Sequence, residues 1–181
     1  MGTGLMRKLG FRHEKIYGDD GSLYLERYRF RRYRINIFHR PDRDPHCHTH
    51  PWGFKTFPLV SYYEEYVRTA TAVEHWEHKT YQPGQKYLAT RPVPAFKWSV
   101  RDADFCHRII HSTYTNKEHS LRKHVRSFQP QYWAEASKKI ITFMITDDEE
   151  DRDWGFWVNG VVVPWRTYIT SYKGLDIIDG K

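Results

Sequence analysis

The chain has 181 residues, of which 39% are hydrophobic and 28% are charged. This length and composition predict a single folded domain and exclude a disordered tract. The 29 basic and 22 acidic residues give a net charge of +7, which is compatible with an anionic substrate or a nucleic-acid partner but requires neither.

The N-terminal half is predicted to consist of short strands separated by turns. Residues 1–20 are weakly patterned and form an N-terminal extension in this prediction. The segment LYLERYRFRRYRINIF, residues 23–38, has apolar side chains at a period close to two, which is typical of β-strands. Its arginines occupy many of the alternate positions, which indicates one solvated face. After the turn at 41–45 and the sequence HCHTHPW at 46–52, a further strand is predicted at 56–67.

The C-terminal half continues this pattern. A strand is predicted at 74–81, and three more follow in KYLAT, FKWSV and DFCHRIIHS. Residues 113–136 are polar and basic, and we expect an insertion or a surface helix there. The segment KKIITFMIT predicts another strand, and WGFWVNGVVVPWRTYI predicts a hairpin that turns at Asn159-Gly160. In total, about eight to ten short strands predict an all-β sandwich or barrel over 21–170, followed by a tail at 171–181.

Three histidines alternate in His46-Cys47-His48-Thr49-His50. In an extended strand, side chains two residues apart point to the same face, so the three imidazoles project together. Two imidazoles at this spacing can bind one metal ion from the inside of a barrel, and imidazole is a ligand of iron, zinc, copper and nickel. The alternative is a surface cluster of histidines without a metal.

His107 offers a third imidazole from a distant strand. In DFCHRIIHS, alternation places Phe105, His107 and Ile109 on one face and Cys106 and Arg108 on the other. A histidine between two apolar residues is often a hydrogen-bonded core residue, but a His-x-His pair in the same barrel strengthens its case as a ligand. The sequence then predicts a site with three nitrogen ligands.

These motifs resemble the cupin superfamily, in which a His-x-His pair and a later histidine lie in an all-β barrel. More narrowly, HTHPWGFKTFPLVSYYEE, a later His-Arg, WGFW and VPW are similar to an uncharacterised cupin-like group that is common in bacterial and phage genomes. The resemblance implies a cupin-type double-stranded β-helix, or jelly roll, with metal ligands at His48, His50 and His107. The acidic ligand that cupins usually have four or five residues beyond the second histidine is missing, because Phe54 and Lys55 stand there.

Two forms of the site therefore stay open. One is a neutral three-histidine site, similar to that of thiol dioxygenases of the cupin fold. The other adds Glu65 or, as the second choice, Glu64, as a fourth ligand or a general base with a raised pKa. Alternation places Tyr63 and Glu65 on one face, which points into the barrel in this interpretation. The alternative for Glu65 is a solvated charge at the end of a strand.

Four further residues are assigned supporting roles. His46 and Tyr63 are predicted to hold the ligands from a second layer, since ligating histidines usually have their other nitrogen hydrogen-bonded. Trp52 and Arg108 are predicted to bind substrate. If its strand alternates strictly, Arg108 points outward and forms a structural salt bridge instead.

The functional expectation is a metal-dependent cupin enzyme acting on a small substrate that is anionic or nucleotide-like. A non-haem iron oxygenase resembling the dioxygenases, and hence an oxidoreductase, is the first expectation, with zinc, manganese or nickel as alternatives to iron. A second hypothesis is a non-catalytic barrel that binds a sugar or nucleotide. A third is a nucleic-acid-binding module, suggested by the aromatic residues among arginines in RYRFRRYR. The resemblance also implies a homodimer.

The sequence also favours a cytoplasmic protein without a membrane span. No apolar run reaches about 18 residues, and the N-terminus MGTGLMRKLG lacks the apolar core of a secretory signal. The two cysteines, Cys47 and Cys106, are too few for a disulfide scaffold. Because alternation turns them away from the proposed ligands, they are predicted to be small buried residues.

Overall fold

The computed structural model describes residues 10–18, 20–111, 139–147 and 153–173, and within these ranges it consists mainly of β-strands. The described residues form thirteen strands and one helix. In chain order the elements are β1 (Phe11–Tyr17), β2 (Leu23–Phe30), β3 (Tyr33–Phe38), β4 (Phe54–Pro58), β5 (Tyr62–Thr69), β6 (Glu74–Trp76), β7 (Lys79–Tyr81), β8 (Lys86–Val93), β9 (Ser99–Arg101), β10 (His107–His111), β11 (Ile140–Thr146), β12 (Gly155–Val158), β13 (Val161–Pro164) and α1 (Trp165–Tyr172).

The strands form two main sheets in which all pairings are antiparallel. The larger sheet has the order β1-β2-β3-β11-β4-β9, and the smaller has the order β10-β5-β8. His48 extends the smaller sheet, because it bridges His107 in β10 and Phe156 in β12. Two hairpins, β6-β7 and β12-β13, complete the strand pairings of the described residues.

The order of the strands defines a jelly roll. Eight strands form the barrel: β3, the His48 segment, β4, β5, β8, β9, β10 and β11. Numbered one to eight along the chain, they lie in the order 1-8-3-6 in one sheet and 2-7-4-5 in the other. This crossing of successive strands between two antiparallel sheets is the jelly-roll arrangement that cupins use. The predicted all-β class and jelly-roll barrel are therefore confirmed.

Apolar side chains from both sheets meet between them. Tyr62, Val93, Ile109 and Ile140 form a buried cluster, and Phe38 packs against it. The first three belong to the smaller sheet, whereas the other two lie on β11 and β3 of the larger sheet. This cluster therefore holds the two halves of the barrel together.

The arginines of β2 and β3 face the barrel interior, contrary to the solvated face expected from the sequence. Strand pairing places Arg27 opposite Asn36 and Tyr28 opposite Ile35. Arg34 is only 2% exposed, whereas Tyr28 and Ile35 are 44% and 45% exposed. Arg27 Nε donates a hydrogen bond to Asn36 Oδ1 at 3.0 Å. The expectation is wrong because alternation shows which side chains share a face but not which face is buried.

Two segments, near the start and in the middle of the chain, contain strand pairings that the sequence did not predict. β1 lies inside the predicted N-terminal extension and pairs with β2 over its whole length. The single strand predicted at 74–81 is instead the tight hairpin β6-β7. Its turn residues Glu77 and His78 both have positive φ, which is the backbone geometry of a two-residue hairpin loop.

The C-terminal hairpin is confirmed, but the chain that follows it is helical. Asn159 and Gly160 have φ values of 49° and 92°, as a type I′ turn between β12 and β13 requires. The residues after this hairpin, which were expected to continue as a strand, form α1. The predicted insertion at 113–136 and residues 174–181 of the predicted tail lie outside the described residues. Among the described residues, no helix has the length and apolar character needed to cross a membrane.

Candidate metal centre

Strand pairing places two of the three predicted ligands side by side. The backbone N–H of His48 donates to the His107 carbonyl at 2.9 Å, and the backbone N–H of His107 donates to the His48 carbonyl at 3.0 Å. His50 follows two residues after His48, so alternation returns its side chain to the same face. Its backbone N–H donates to the Ala103 carbonyl at 3.3 Å, which anchors this end of the segment to the loop before β10.

The three imidazoles converge on one point. One ring nitrogen from each of His48, His50 and His107 lies within 4.8 Å of the other two. The Nε2 atoms of His50 and His107 are 3.0 Å apart. Two nitrogens that each lie about 2.1 Å from a shared ion are separated by about 3.0 Å at a right angle and by about 3.4 Å at the tetrahedral angle. The observed distance therefore fits two neighbouring ligands of one ion.

Burial favours the neutral form of His48 and His50. Burial lowers the pKa of His48, although the negative charges of Asp42 and Asp44 oppose the effect. The pKa of His50 lies well below its usual value, first because of burial and then because of the adjacent His48 and His107. A neutral imidazole has a free lone pair, so both side chains are prepared to bind a metal at neutral pH.

Glu64 on β5 holds the third predicted ligand, His107, in place. Its side chain is 0% exposed, and Oε2 accepts a hydrogen bond from His107 Nδ1 at 2.9 Å. Its Oε1 accepts hydrogen bonds from Arg91 Nε at 2.5 Å and Arg101 Nη2 at 3.0 Å. Burial alone would raise the pKa of Glu64, but the hydrogen bond from His107 and the two arginines lower it to about 2. With its proton on Nδ1, His107 keeps Nε2 free as a ligand atom.

Glu65, which was predicted to point into the barrel, faces away from it. Its Oε2 accepts a hydrogen bond from Arg108 Nε at 2.7 Å, and Arg108 Nη1 donates to the Asp44 carbonyl at 2.8 Å. Tyr63 shares the face of Glu65 by alternation, so neither residue is oriented as predicted. The strand alternates as expected, but the buried set is the one that contains Glu64. Arg108 forms the structural salt bridge that was the alternative to substrate binding.

Aromatic rings surround the histidines. The ring centre of His50 lies 4.9 Å from that of Phe54, and the ring centre of His48 lies 5.9 Å from Phe156 and 6.1 Å from Trp154. These rings lie beside the imidazoles of His48 and His50, which stay partly exposed, whereas His107 is buried.

Trp52, the other residue predicted to bind substrate, lies beside the site. Its ring centre is 6.5 Å from that of His50, and the guanidinium of Arg34 lies over its ring at 4.1 Å. The indole Nε1 is buried and has no hydrogen-bond partner among the described residues. The role of Trp52 in substrate binding stays a prediction.

His46 contacts helix α1 instead of a predicted ligand. Its Nδ1 lies 2.8 Å from the Tyr168 hydroxyl, and that hydroxyl donates to Asp44 Oδ1 at 2.6 Å. The Tyr168 ring stacks on Phe156 at a centroid distance of 4.0 Å, and Phe156 in turn lies against His48. His46 therefore supports the site indirectly, because it binds Tyr168 of α1, which in turn packs on Phe156 beside His48.

Cys47 and Cys106 are buried free thiols. Cys47 Sγ donates to the Glu65 carbonyl at 3.4 Å, on the side of the strand away from the three histidines. A hydrogen bond with Cys106, together with burial, raises the pKa of the Cys47 thiol. This thiol is therefore protonated at neutral pH and is not suited to bind a metal.

The sequence interpretation missed the cluster of Glu64, Arg91 and Arg101. The segment Tyr-Tyr-Glu-Glu at 62–65 contains a Tyr-x-Glu pattern in both of its registers, so the motif alone does not select the inward glutamate. Arg91 and Arg101 lie on β8 and β9, far from Glu64 in sequence. No local pattern marks them, because only the strand order brings them to the same carboxylate.

The strand order defines a jelly-roll barrel in which three histidines converge. No family model matches the chain, and no curated protein matches it. A solved structure of the Drosophila melanogaster CENP-C cupin domain is similar at 8% identity and a TM-score of 0.40, covering 76% of this chain and 75% of that chain. A structure of Drosophila melanogaster CENP-C bound to CAL1 is similar at 8% identity and a TM-score of 0.37, covering 79% and 93%. The narrower bacterial and phage group stays a prediction.

Proposed function

We propose that His48, His50 and His107 bind one divalent transition-metal ion and that the protein is a metal-dependent enzyme acting on a small molecule. The observation that carries the proposal is the convergence of three ring nitrogens within 4.8 Å inside the barrel. The hydrogen bond from His107 Nδ1 to the buried Glu64 adds to it, because ligating histidines usually bind a carboxylate through their other nitrogen.

The donor set favours a neutral three-histidine site over one with a carboxylate ligand. Both oxygens of Glu64 are engaged by His107, Arg91 and Arg101, and Glu65 is paired with Arg108. Neither glutamate is therefore available as a ligand or a general base. Three imidazoles suit iron, zinc and nickel, and they leave coordination positions open for substrate.

The residues of the chain prepare this site for chemistry. A bound metal would supply an electrophilic centre that polarises substrate or, if it is iron, activates O2. Glu64 fixes the ring orientation and the tautomer of His107. Phe54, Phe156 and Trp154 lie beside the imidazoles, while Trp52 Nε1 offers a buried donor to a polar group of the substrate. Among the reactions that such a site supports, we favour an iron-dependent oxygenase.

A second candidate is a non-catalytic barrel that binds a small molecule without a metal. It is favoured by the 3.0 Å distance between the Nε2 atoms of His50 and His107, which also suits a direct hydrogen bond between two neutral imidazoles. In that case Glu64, His107 and His50 form a hydrogen-bonded chain across the barrel. Measurement of bound metal separates the two candidates, because the first requires one metal ion per chain and the second requires none.

The nucleic-acid hypothesis keeps only part of its structural basis at the segment that suggested it. Stacking on single strands requires aromatic rings and cations on the same accessible face. In β2 and β3, Arg27 and Arg34 are on the face opposite the exposed Tyr28 and Ile35. In the turn between these strands, exposed Arg31 and Arg32 lie over the rings of Phe30 and Tyr33 at 5.5 Å and 5.9 Å. The hypothesis therefore stays a prediction.

Two measurements test the proposal. The first is the metal content of the protein, and the second is the binding of nitric oxide to a coordination position that the protein leaves open. Protein purified without chelator is analysed by mass spectrometry for metals, and we expect about one ion per chain. His48→Ala and His107→Ala should lose it, whereas His75→Ala, at an exposed position on β6, should retain it. Apoprotein reloaded with Fe(II) under nitrogen should then bind nitric oxide and give the paramagnetic resonance signal of an iron–nitrosyl complex.

Two results would contradict the proposal. Retention of metal by His48→Ala and His107→Ala would show that the ion binds elsewhere. Metal uptake without a nitrosyl signal would indicate a closed structural site, which supports binding without catalysis.

A further inference from the structure

The outer side of the six-stranded sheet carries aromatic side chains in two rows. Because directly paired residues share a face, the strand pairings define both rows. The first row runs from β1 to β4 and consists of His13, Tyr28, Ile35, Phe143 and Phe57. The second row is nearer to the turn between β2 and β3 and consists of Phe11, Phe30, Tyr33, Ile145, Lys55 and Val100. We call this surface the outer aromatic face.

Several rings of the outer aromatic face are open to solvent although they stack on one another. Phe11, Tyr28 and Tyr33 are 40%, 44% and 40% exposed. Phe11 stacks on Phe30 with ring centres 4.3 Å apart, and His13 stacks on Tyr28 at 4.4 Å. The exposed parts of these ordered rings offer a preformed platform on which another planar ring can stack.

Cations lie on the same face, at the turn between β2 and β3. Arg31 and Arg32 are exposed, and their guanidinium groups lie over the rings of Phe30 and Tyr33 at 5.5 Å and 5.9 Å. Lys55, in the second row, is also exposed. The face therefore combines accessible rings with accessible cations, which the alternating residues of β2 and β3 alone do not.

Arg31 occupies a backbone position that glycine would fill at lower cost. Its φ of 52° lies in the left-handed region, where a side chain with a Cβ is strained. The geometry of the turn therefore does not account for an arginine here. A role in binding an anion does account for it, since strained residues are retained where their side chains are used.

The charge of the outer aromatic face favours an anionic partner. On the strands of the six-stranded sheet, all of which are described, Glu26 is the one carboxylate on this side, because Glu14 shares the opposite face with Arg27. Lys15 stands directly opposite Glu26 and balances its charge. The cations of the turn and of the second row are therefore in excess. With a net charge of +7, the chain repels a second copy of itself and attracts a polyanion.

We propose that the outer aromatic face binds single-stranded nucleic acid, with bases stacked on its rings and phosphates bound by Arg31 and Arg32. Proteins that bind single strands combine stacking aromatic rings with cations that follow the backbone. A four-stranded sheet of the RNA-recognition type stacks two or three bases in this way. The first row crosses five strands and is about 19 Å long at about 4.8 Å per strand, so it offers comparable room. The inference is independent of the proposed metal site, because none of the three converging histidines lies on this face.

Fluorescence anisotropy of a labelled oligothymidylate of about 12 nucleotides tests the proposal with the full chain over a series of salt concentrations. The single strand should bind at least about 10-fold more tightly than a duplex of the same length, because paired bases cannot stack on the rings. The logarithm of the association constant should fall with the logarithm of the salt concentration, by about 0.7 for each phosphate contact. Inorganic polyphosphate, a polyanion without bases, should compete poorly at equal phosphate concentration.

Two variants separate the role of the cations from that of the rings. Arg31→Gly combined with Arg32→Ala removes two phosphate contacts at a turn whose backbone accepts glycine, so the salt slope should decrease by about 1.4. Tyr33→Val removes one ring but keeps the charge and suits a strand. It should weaken binding by about 5-fold to 150-fold, the loss expected for one stacked base, with an unchanged salt slope.

Arg166→Ala is the matched control. Arg166 is an exposed arginine whose guanidinium lies 4.8 Å from the ring centre of Trp165, but it belongs to α1, which packs against β12 and β13. Its removal should leave both affinity and salt slope unchanged, and far-ultraviolet circular dichroism checks that every variant is folded.

Three results would overturn the proposal. The first is a wild type that binds no oligonucleotide, whether it is monomeric or self-associates. The second is equal binding of the duplex or effective competition by polyphosphate, since charge alone would then explain the binding. The third is a loss of affinity in Arg166→Ala as large as that in the combined Arg31→Gly/Arg32→Ala variant.

Discussion

Replacement of Glu64 by glutamine tests the best-defined electrostatic feature of the barrel. The pKa of Glu64 is lowered from 4.5 to about 2, so the folded protein favours the carboxylate by about 3 kcal/mol at 1.36 kcal/mol per unit. Glu64→Gln keeps the shape of the side chain but leaves Arg91 and Arg101 without a counter-charge. We therefore expect a loss of about 3 kcal/mol in the free energy of unfolding at neutral pH.

The same substitution should weaken the proposed metal site. The glutamine introduced by Glu64→Gln can still accept the proton of His107 Nδ1, but it lacks the charge that increases the basicity of the ring. A loss of about 10-fold to 100-fold in metal affinity is expected from the removal of such a partner. Zinc titration calorimetry measures the affinity, and urea unfolding of the metal-free protein measures the stability.

Glu65→Gln is the matched control, because it removes the neighbouring carboxylate from the opposite face of β5. In the ion pair of Arg108 with Glu65, the two side chains are 10% and 18% exposed, so its loss should reduce stability, but zinc affinity should stay unchanged. The role assigned to Glu64 is wrong if Glu64→Gln binds zinc as tightly as the wild type, or if Glu65→Gln weakens zinc binding equally.

Three other predictions concern the rest of the barrel. Burial lowers the pKa of His48 and His50 below the unfolded value of about 6.5, so the unfolded chain binds more protons below that pH. Metal-free protein should therefore be most stable above about pH 6.5 and lose stability as the pH falls below it, as urea unfolding at a series of pH values will show. Tyr168→Phe removes the hydroxyl that binds His46 and Asp44, and should cost about 1–2 kcal/mol in thermal unfolding with little change in zinc affinity. Ile140→Ala opens a cavity between the two sheets and should cost about 2–5 kcal/mol in urea unfolding.

The convergence of the three histidines could be predicted because their pattern is partly local. His48 and His50 alternate on one extended segment, and alternation depends only on the backbone. His107 stands far away in sequence, but the jelly-roll strand order places it beside His48. The resemblance to cupins implied that order, which the strand pairings then showed.

Helix α1 could not be predicted from its own residues. The segment Trp-Arg-Thr-Tyr-Ile-Thr is rich in β-branched and aromatic side chains, which favour strands. It is helical where Tyr168 stacks on Phe156 and its hydroxyl reaches Asp44. These contacts come from distant parts of the chain, so tertiary packing outweighs local preference here.

The two errors of orientation, at the arginines of β2 and β3 and at Glu65, have one cause. In a barrel with a polar site inside, charged side chains occupy buried positions, so hydrophobicity no longer separates the inner face from the outer face. The position of His107 shows which face of β5 is the inner face. His107 pairs with Tyr66 across β10 and β5, and two-residue alternation then puts Glu64 on the face of His107.

The same register brings Arg108 directly opposite Glu65 on the other face, as a cross-strand ion pair. Opposite charges on directly paired residues stabilise one register over its neighbours, since a slip of β10 by one residue would turn Arg108 to the other face of the sheet, away from Glu65. The Arg108–Glu65 pair therefore adds to the preference for the alignment that holds Glu64 against His107. The other pairings of β5 with β10 and β8 maintain that alignment when Glu65→Gln only neutralises the pair. If this is correct, exchanging the two charges in Arg108→Glu/Glu65→Arg should preserve zinc affinity, whereas Glu65→Arg alone should weaken it, as calorimetry can measure.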